Sequence, residues 1–308
     1  MNVLVTGATG FVGQEVLRQL QAAGHSSCIV ARHPRSGRAL LDANPPGAEV
    51  RRGDVLDRPS LEAAFAGAGV DAVIHLVGII SEAGRSTFEN IHTRGTDNVV
   101  AAAKKAGIRR FVHMSALGSR PAARSRYHQT KWAAEEIVRR SGLDWTIFRP
   151  SIIYGPGDGF VNLFARMSRW SPVLPVMGSG RSKFQPVAVR DVAACFVKAL
   201  SEPRAVGGAY ELCGTEVLTL DQILDLILEV TGRRRWKAHL PWWLARCQAA
   251  FLEFACGQLL RRPPPLNRDQ LTMLQEDNVG EPRPAIALFG ISPAPLKEGM
   301  AGWLKRGT

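Results

Sequence analysis

Short runs of apolar, often β-branched residues alternate with stretches of helical periodicity through the first half of the chain. The runs fall at Asn2–Thr6, Ser27–Ala31, Glu49–Arg52, Ala72–Leu76, Phe111–Ser115 and Trp145–Phe148. Between them, Val12–Ala23, Thr93–Ala106 and Tyr127–Arg140 repeat apolar residues three and four apart. Strands that are apolar almost throughout have no polar face to give to water, so they predict a parallel sheet covered by helices on both sides. Gly24 and Gly107 stand just past two of the helices, where the residue that ends a helix belongs. After Pro150 the pattern loosens, punctuated by Pro156, Pro172 and Pro175, before helical spacing returns at Val189–Leu200 and Leu220–Thr231. The expected fold is α/β: a doubly wound parallel sheet over residues 1–155, completed by 186–203. A smaller, mostly helical lobe takes 156–185 and 204–308.

Composition narrows this picture without redirecting it. With 45% hydrophobic and 21% charged residues, the chain has enough apolar surface to bury a core, which excludes intrinsic disorder. Its five cysteines are odd in number and form no Cys-x-x-Cys pair, which argues against a disulfide framework or structural zinc and for a reducing, cytoplasmic setting. No targeting pattern precedes the first strand, and the most apolar late stretch, Leu240–Leu260, is interrupted by Pro241, Arg246 and Glu253. No metal-ligand spacing and no Ser-His-Asp arrangement is expected. His75 and His113 fall in buried strands and are read as hydrogen-bonded core histidines.

Candidate chemistry begins at the first strand's end, in Thr6-Gly7-Ala8-Thr9-Gly10-Phe11-Val12-Gly13. Three glycines between a strand and a helix meet the needs of a dinucleotide pyrophosphate: a tight turn, close backbone approach, and a helix packed on its strand. The same triplet is also compatible with a purely structural turn. The second strand leads into Arg32, Arg35 and Arg38 with no acid before Asp42. Arginine there suits a ribose 2′-phosphate, so NADP(H) is expected over NAD(H), unless the cluster is only a solvated loop. Asp54 and Val55 follow the third strand near the expected adenine, and Leu76, Val77 and Gly78 follow the fourth, beneath the cofactor. A helix cap at Asp54 and core packing at Leu76 and Val77 are the structural alternatives. Tyr127 and Lys131, four apart, share one helix face. An ammonium beside a phenol lowers its pKa toward neutrality and equips it for proton transfer, whereas a snorkelled surface pair needs the same spacing.

Taken together, TGATGFVG, GDV, HLVG, YHQTK, FRPSIIYGPGD and VAVRDVA make the chain resemble an extended or atypical short-chain dehydrogenase/reductase with a Rossmann-like fold. VHMSALGS, DWTIFRPSIIYGPGDGFVNLF, FQPVAVRDVA and LNRDQLTMLQEDNV further resemble bacterial relatives of the nucleotide-binding accessory subunit of mitochondrial complex I. The resemblance implies Gly7, Gly10, Phe11, Val12 and Gly13 at the pyrophosphate, with Thr9 in the same turn. It also implies Arg32 at the 2′-phosphate, Asp54 and Val55 at adenine, and Pro150 and Ile152 near nicotinamide. Tyr127 and Lys131 match the family's Tyr-x-x-x-Lys. Two positions depart from it. Ala116 stands where a Ser or Thr is expected, with Ser115 one residue early, and His92 replaces the family's structural Asn.

Three functions compete on this reading. The first is an NADP(H)-dependent oxidoreductase on a small apolar or quinone-like substrate. The second is a non-catalytic accessory or assembly subunit, and the third a sugar-nucleotide epimerase or dehydratase. The net charge of +12 bears on partners, because residues 101–200 carry 17 basic against 5 acidic side chains while the flanking thirds are almost neutral. Such a field suits an acidic protein or an anionic membrane surface, or is simply a solvated face. Nucleic acid is not expected, for want of a recognition element. Phe160, Leu163, Phe164, Met167 and Trp170 beside Arg166 and Arg169, and the tryptophan-rich stretch from Pro241, are either interfacial segments or packing within the smaller lobe.

Overall fold

The computed structural model describes residues 1–33, 48–256 and 263–304. Seven parallel strands form one sheet: β1 (Asn2–Thr6), β2 (Ser26–Ala31), β3 (Ala48–Arg52), β4 (Ala72–His75), β5 (Arg110–Met114), β6 (Asp144–Pro150) and β11 (Gly208–Leu212). Their order, β11-β6-β5-β4-β1-β2-β3, reverses direction between β1 and β4. That reversal opens a crevice at the strands' carboxyl ends, where ligands of open α/β sheets bind. The expected strands match to within a residue or two at each end. β11 adds a seventh from a stretch that the sequence reading places in the smaller lobe.

Helices cover both faces, as the apolar strands require. On one side α1 (Phe11–Ala22) and α6 (Val189–Ala199) pack over Val3, Val5, Ile29 and Phe148. On the other, α2 (Arg58–Phe65), α3 (Gly95–Lys105) and α4 (Arg126–Arg139) cover Leu4, Val73, Phe111 and Ile147. Gly24 and Gly107 adopt φ of 74° just past α1 and α3, conformations a side chain would strain. A π turn, Glu89–Arg94, leads into α3.

The smaller lobe has its own core. It contains α5 (Val161–Trp170), α7 (Leu220–Thr231) and α11 (Leu296–Leu304), which pack around Tyr154, Leu224 and Met300. Strands β7 (Ile153–Tyr154), β8 (Val173–Met177), β9 (Lys183–Phe184), β10 (Val187–Ala188), β12 (Leu218–Thr219) and β13 (Trp236–Leu240) pair as three short ribbons. α8 (Trp242–Phe254) and α9 (Arg268–Leu274) pack together through Ala245, Ala249 and Leu271, while α10 (Arg283–Phe289) returns to the main core. No helix among the described residues is long and apolar enough to cross a membrane.

Candidate active site

The glycine turn fits a phosphate-bearing cofactor through what it leaves out. Gly7 has φ of 78°, and a Cβ there would meet the Leu76 and Val77 backbone at 3.0 Å. A Cβ on Gly13 would overlap the Gly7 carbonyl oxygen and lie 2.6 Å from the Ala8 Cα. Gly10 caps α1 without a side chain, so the first N–H groups of Phe11, Val12 and Gly13 face the crevice with no cap of their own. Thr9 and Gly10 are exposed on this turn, and Phe11 packs its ring against Gly155. Leu76 is buried, Val77 is half-buried against the core, and Leu76 N–H donates to the Thr6 carbonyl at 3.0 Å, closing the floor of the crevice.

At the adenine end, Asp54 accepts the Leu56 N–H at 3.0 Å through one carboxylate oxygen and braces the turn after β3. The cap of α2 is Asp57, not Asp54. Val55 is buried and its carbonyl accepts from Asn98 at 2.8 Å. Arg32 is exposed immediately after β2, and no carboxylate among the described residues pairs with it. Arg35 lies outside the described residues. Pro150 ends β6 and Ile152 follows it at the same end of the sheet, where the Pro150 carbonyl accepts the Leu117 N–H at 2.9 Å.

The Tyr127/Lys131 pair is not a snorkelled surface pair: Lys131 is buried and Tyr127 half-buried. Lys131 is 2% exposed and donates from Nζ to the Met114 carbonyl at 3.0 Å. A Cβ on Gly78 would approach that Nζ to 3.0 Å, so this glycine leaves the lysine room. Burial lowers the Lys131 pKa to about 8, against the opposing pull of Glu135. Tyr127 lies edge-on to Phe88, His92 and His128, with ring centroids 5.3–5.9 Å away. Burial raises its pKa to about 12. The lowered phenol expected from the spacing is therefore absent in this geometry, because the ammonium is turned to the end of β5. A phenol that holds its proton at neutral pH can give one but does not act as a ready base.

His92 takes over a structural task. Thr130 Oγ1 donates to helix carbonyls of Arg126 and Tyr127 at 3.0 Å, which leaves it to accept from His92 Nδ1 at 2.9 Å. Nε2 lies 3.1 Å from both the N–H and the carbonyl oxygen of Ile79. The ring ties the loop after β4 directly to α4. Burial and the Lys131 charge push its pKa down to about 2, so it stays neutral. His75 is hydrogen-bonded as expected, to Thr6 at 2.6 Å and Thr96 at 3.1 Å. His113 is not: both of its ring nitrogens are buried without a partner among the described residues, and the ring stacks on His75 at 5.4 Å. Ser115 and Ser119 are buried and bond each other at 3.2 Å, while Ala116 offers no hydroxyl.

Sequence reasoning missed what the smaller lobe contributes. Asp269 of α9 accepts the backbone N–H groups of Arg126 at 2.8 Å and Tyr127 at 3.0 Å, adding a second cap to α4 beside Ser125. Asn267 donates to the Ile80 carbonyl at 3.0 Å, and Asn278 joins Ser151 to the Leu117 carbonyl. No local pattern marks residues about 140 positions away as partners of a tyrosine helix. Asp269→Ala removes both acceptors and is expected to lower stability by about 1 kcal/mol. A melting temperature equal to the wild type's would show that Asp269 does not hold α4.

Some of the central arginines find carboxylates. Arg120 and Arg124 reach Glu276, Arg126 reaches Glu82, and Arg139, Arg140 and Arg149 reach Glu135 or Glu136. Around the tyrosine helix six arginines thus share four carboxylates.

The family description "NAD dependent epimerase/dehydratase family" matches residues 3–213. A mitochondrial NADH dehydrogenase [ubiquinone] 1 alpha subcomplex subunit 9 of Arabidopsis thaliana is 32% identical over 284 residues, covering 89% of this chain and 70% of its own. Sterol demethylase protein B of Methylococcus capsulatus is 30% identical over 332 residues, covering 98% of this chain and 96% of its own. Among solved structures, a dTDP-glucose 4,6-dehydratase of Streptomyces venezuelae with NAD bound superposes with a TM-score of 0.77 at 21% identity, over 99% of this chain and 96% of that one.

Proposed function

Because the chain belongs to the NAD-dependent epimerase/dehydratase family, an NAD(P)-binding family, we propose that it is an NADP(H)-dependent oxidoreductase reducing a carbonyl or quinone oxygen on a small apolar substrate. The observation that carries this reading is the buried Lys131, one turn from Tyr127 at the end of β5, in a crevice whose glycines suit a pyrophosphate. The cofactor, when bound, supplies the hydride. Tyr127 donates the proton to the reduced oxygen, and Lys131 positions the ribose with its ammonium. Gly7, Gly10 and Gly13 with the start of α1 hold the pyrophosphate, and Arg32 meets the 2′-phosphate. The loop after β4 carries Ile79 and Ile80, the latter 52% exposed, which supports an apolar substrate over a sugar nucleotide. A relative whose name refers to sterol demethylation points the same way.

Arg32→Glu is expected to weaken NADPH binding by about 1.5–3 kcal/mol, the range for a charge-assisted contact, and to leave NADH binding nearly unchanged. Titration of the protein with both nucleotides checks this, and tighter binding of NADH by the wild type would remove the NADP(H) preference. The accessory-subunit reading rests on a separate observation, that Ala116 leaves the substrate oxygen without the usual hydroxyl partner. Assays of NADPH oxidation with quinones and with apolar ketones decide between the two. Tight NADPH binding without turnover of any acceptor would favour the subunit.

A further inference from the structure

Three basic side chains without an ion pair among the described residues, Arg166, Arg169 and Arg233, meet at one corner of the smaller lobe. A pocket of about 290 Å³ lies there between α5, α11 and the turn after α7, lined by Asn162, Arg166, Arg169, Trp170, Arg233 and Trp303 among others. Arg233 is fixed by donating to the Ala165 carbonyl at 3.0 Å and to Ser168 Oγ at 3.2 Å. Arg166 and Arg169 are exposed, and no carboxylate among the described residues pairs with any of the three. Like charges converging on one pocket repel, and an anion relieves that repulsion.

The rim specifies the kind of anion. Trp170 and Trp236 are 81% and 82% exposed. Their segments meet, since the backbone N–H of Trp236 donates to the Pro172 carbonyl at 3.0 Å, two residues past Trp170. The Arg169 guanidinium stacks over the Trp170 ring at 5.5 Å. Two indoles left in water beside unpaired arginines match the polarity of a bilayer interface, where indole sits at headgroup depth and arginine meets phosphate. Part of the stripe does turn inward: Phe160 and Phe164, both partly buried, pack edge-to-face against the lobe's core, while Leu163 and Trp170 stay exposed with the arginines.

We propose that this corner docks the protein on a membrane surface, the phosphate of an anionic phospholipid lying between Arg166, Arg169 and Arg233 while Trp170 and Trp236 enter the interface. The docking site is independent of the reaction at Tyr127 and would stand if that assignment failed. Co-sedimentation of the full chain with vesicles tests it, using phosphatidylcholine alone and phosphatidylcholine mixed with phosphatidylglycerol. Binding to the mixed vesicles only, weakening as salt is added, is the expected result. The double variant R166Q/R169Q is expected to lose about 30-fold in apparent affinity, the factor for two basic residues at an anionic surface. W170A/W236A is expected to weaken binding as well. Unchanged melting temperature and NADPH binding in both variants would show that the loss is local. Equal binding to both vesicle types, no binding to the mixed vesicles, or wild-type binding by R166Q/R169Q would each overturn the proposal. So would binding of inorganic phosphate alone by a protein that ignores vesicles, since that outcome describes a soluble-anion site.

Discussion

Tyr127→Phe is expected to lower NADPH-dependent turnover by about 10²–10⁴-fold, the usual worth of a positioned acid, while NADPH binding stays close to the wild type's. The substitution removes one oxygen from a ring wedged among Phe88, His92 and His128, so the fold has little reason to respond. Lys131→Met should act differently. It removes an ammonium that burial holds at a pKa of about 8 beneath Gly78. Its effect falls on cofactor affinity as well as on turnover. For stability, the folded pKa lies below the lysine's ordinary 10.5, so the unfolded chain binds the extra proton between pH 8 and 10.5. The charged lysine therefore destabilises the fold below pH 8, and that penalty is relieved as pH rises through this window. NADPH affinity moves the opposite way, falling above pH 8 as the ammonium is lost. K131M should melt higher than the wild type at neutral pH and show no break in its affinity profile near pH 8. Turnover unchanged in Tyr127→Phe, measured as NADPH oxidation with any active acceptor, would take the tyrosine out of the mechanism.

Gly13→Val is expected to abolish measurable NADPH binding and to cost about 1–3 kcal/mol of stability, as overpacking does. The added carbons would have to occupy the space of the Gly7 carbonyl and the Ala8 Cα, both backbone, so no side-chain rearrangement makes room. Moving that backbone displaces the start of α1 and with it the N–H groups that face the phosphates. Thermal melting with and without NADPH reads both effects. The variant should melt below the wild type, and NADPH should no longer raise its melting temperature. A variant that still gains stability from NADPH would show that the pyrophosphate does not rest on this turn.

The difference between these sites shows where sequence reading stops. The glycine turn is mostly local: strand, turn and helix are consecutive, and Gly10 and Gly13 answer neighbours within six residues, while Gly7 makes room for Leu76 and Val77 at the end of the adjacent strand. Its role can be read from spacing alone. The tyrosine helix is only half local. Spacing places Tyr127 and Lys131 on one face, but it does not say that Lys131 turns to Met114 or that His92 bridges Ile79 and Thr130. Nor does it show that Asp269 caps the helix from the far lobe. His113 makes the same point in reverse: a buried histidine is expected to find a partner, yet it packs against His75 with both nitrogens unpaired among the described residues.

Periodicity and glycine spacing, being properties of neighbouring residues, determine the parallel sheet, its helices and the nucleotide-binding turn from the sequence by itself. Side-chain pairing across long separations belongs to tertiary structure alone. The arginines before and along the tyrosine helix look, in the sequence, as free as those on α5. Only the fold brings Glu276 and Glu82 from distant segments to the first group and leaves Arg166 and Arg169 without acids among the described residues. Coulomb interactions depend on distance in space and not along the chain, which is why the location of the uncompensated charge had to await the structure.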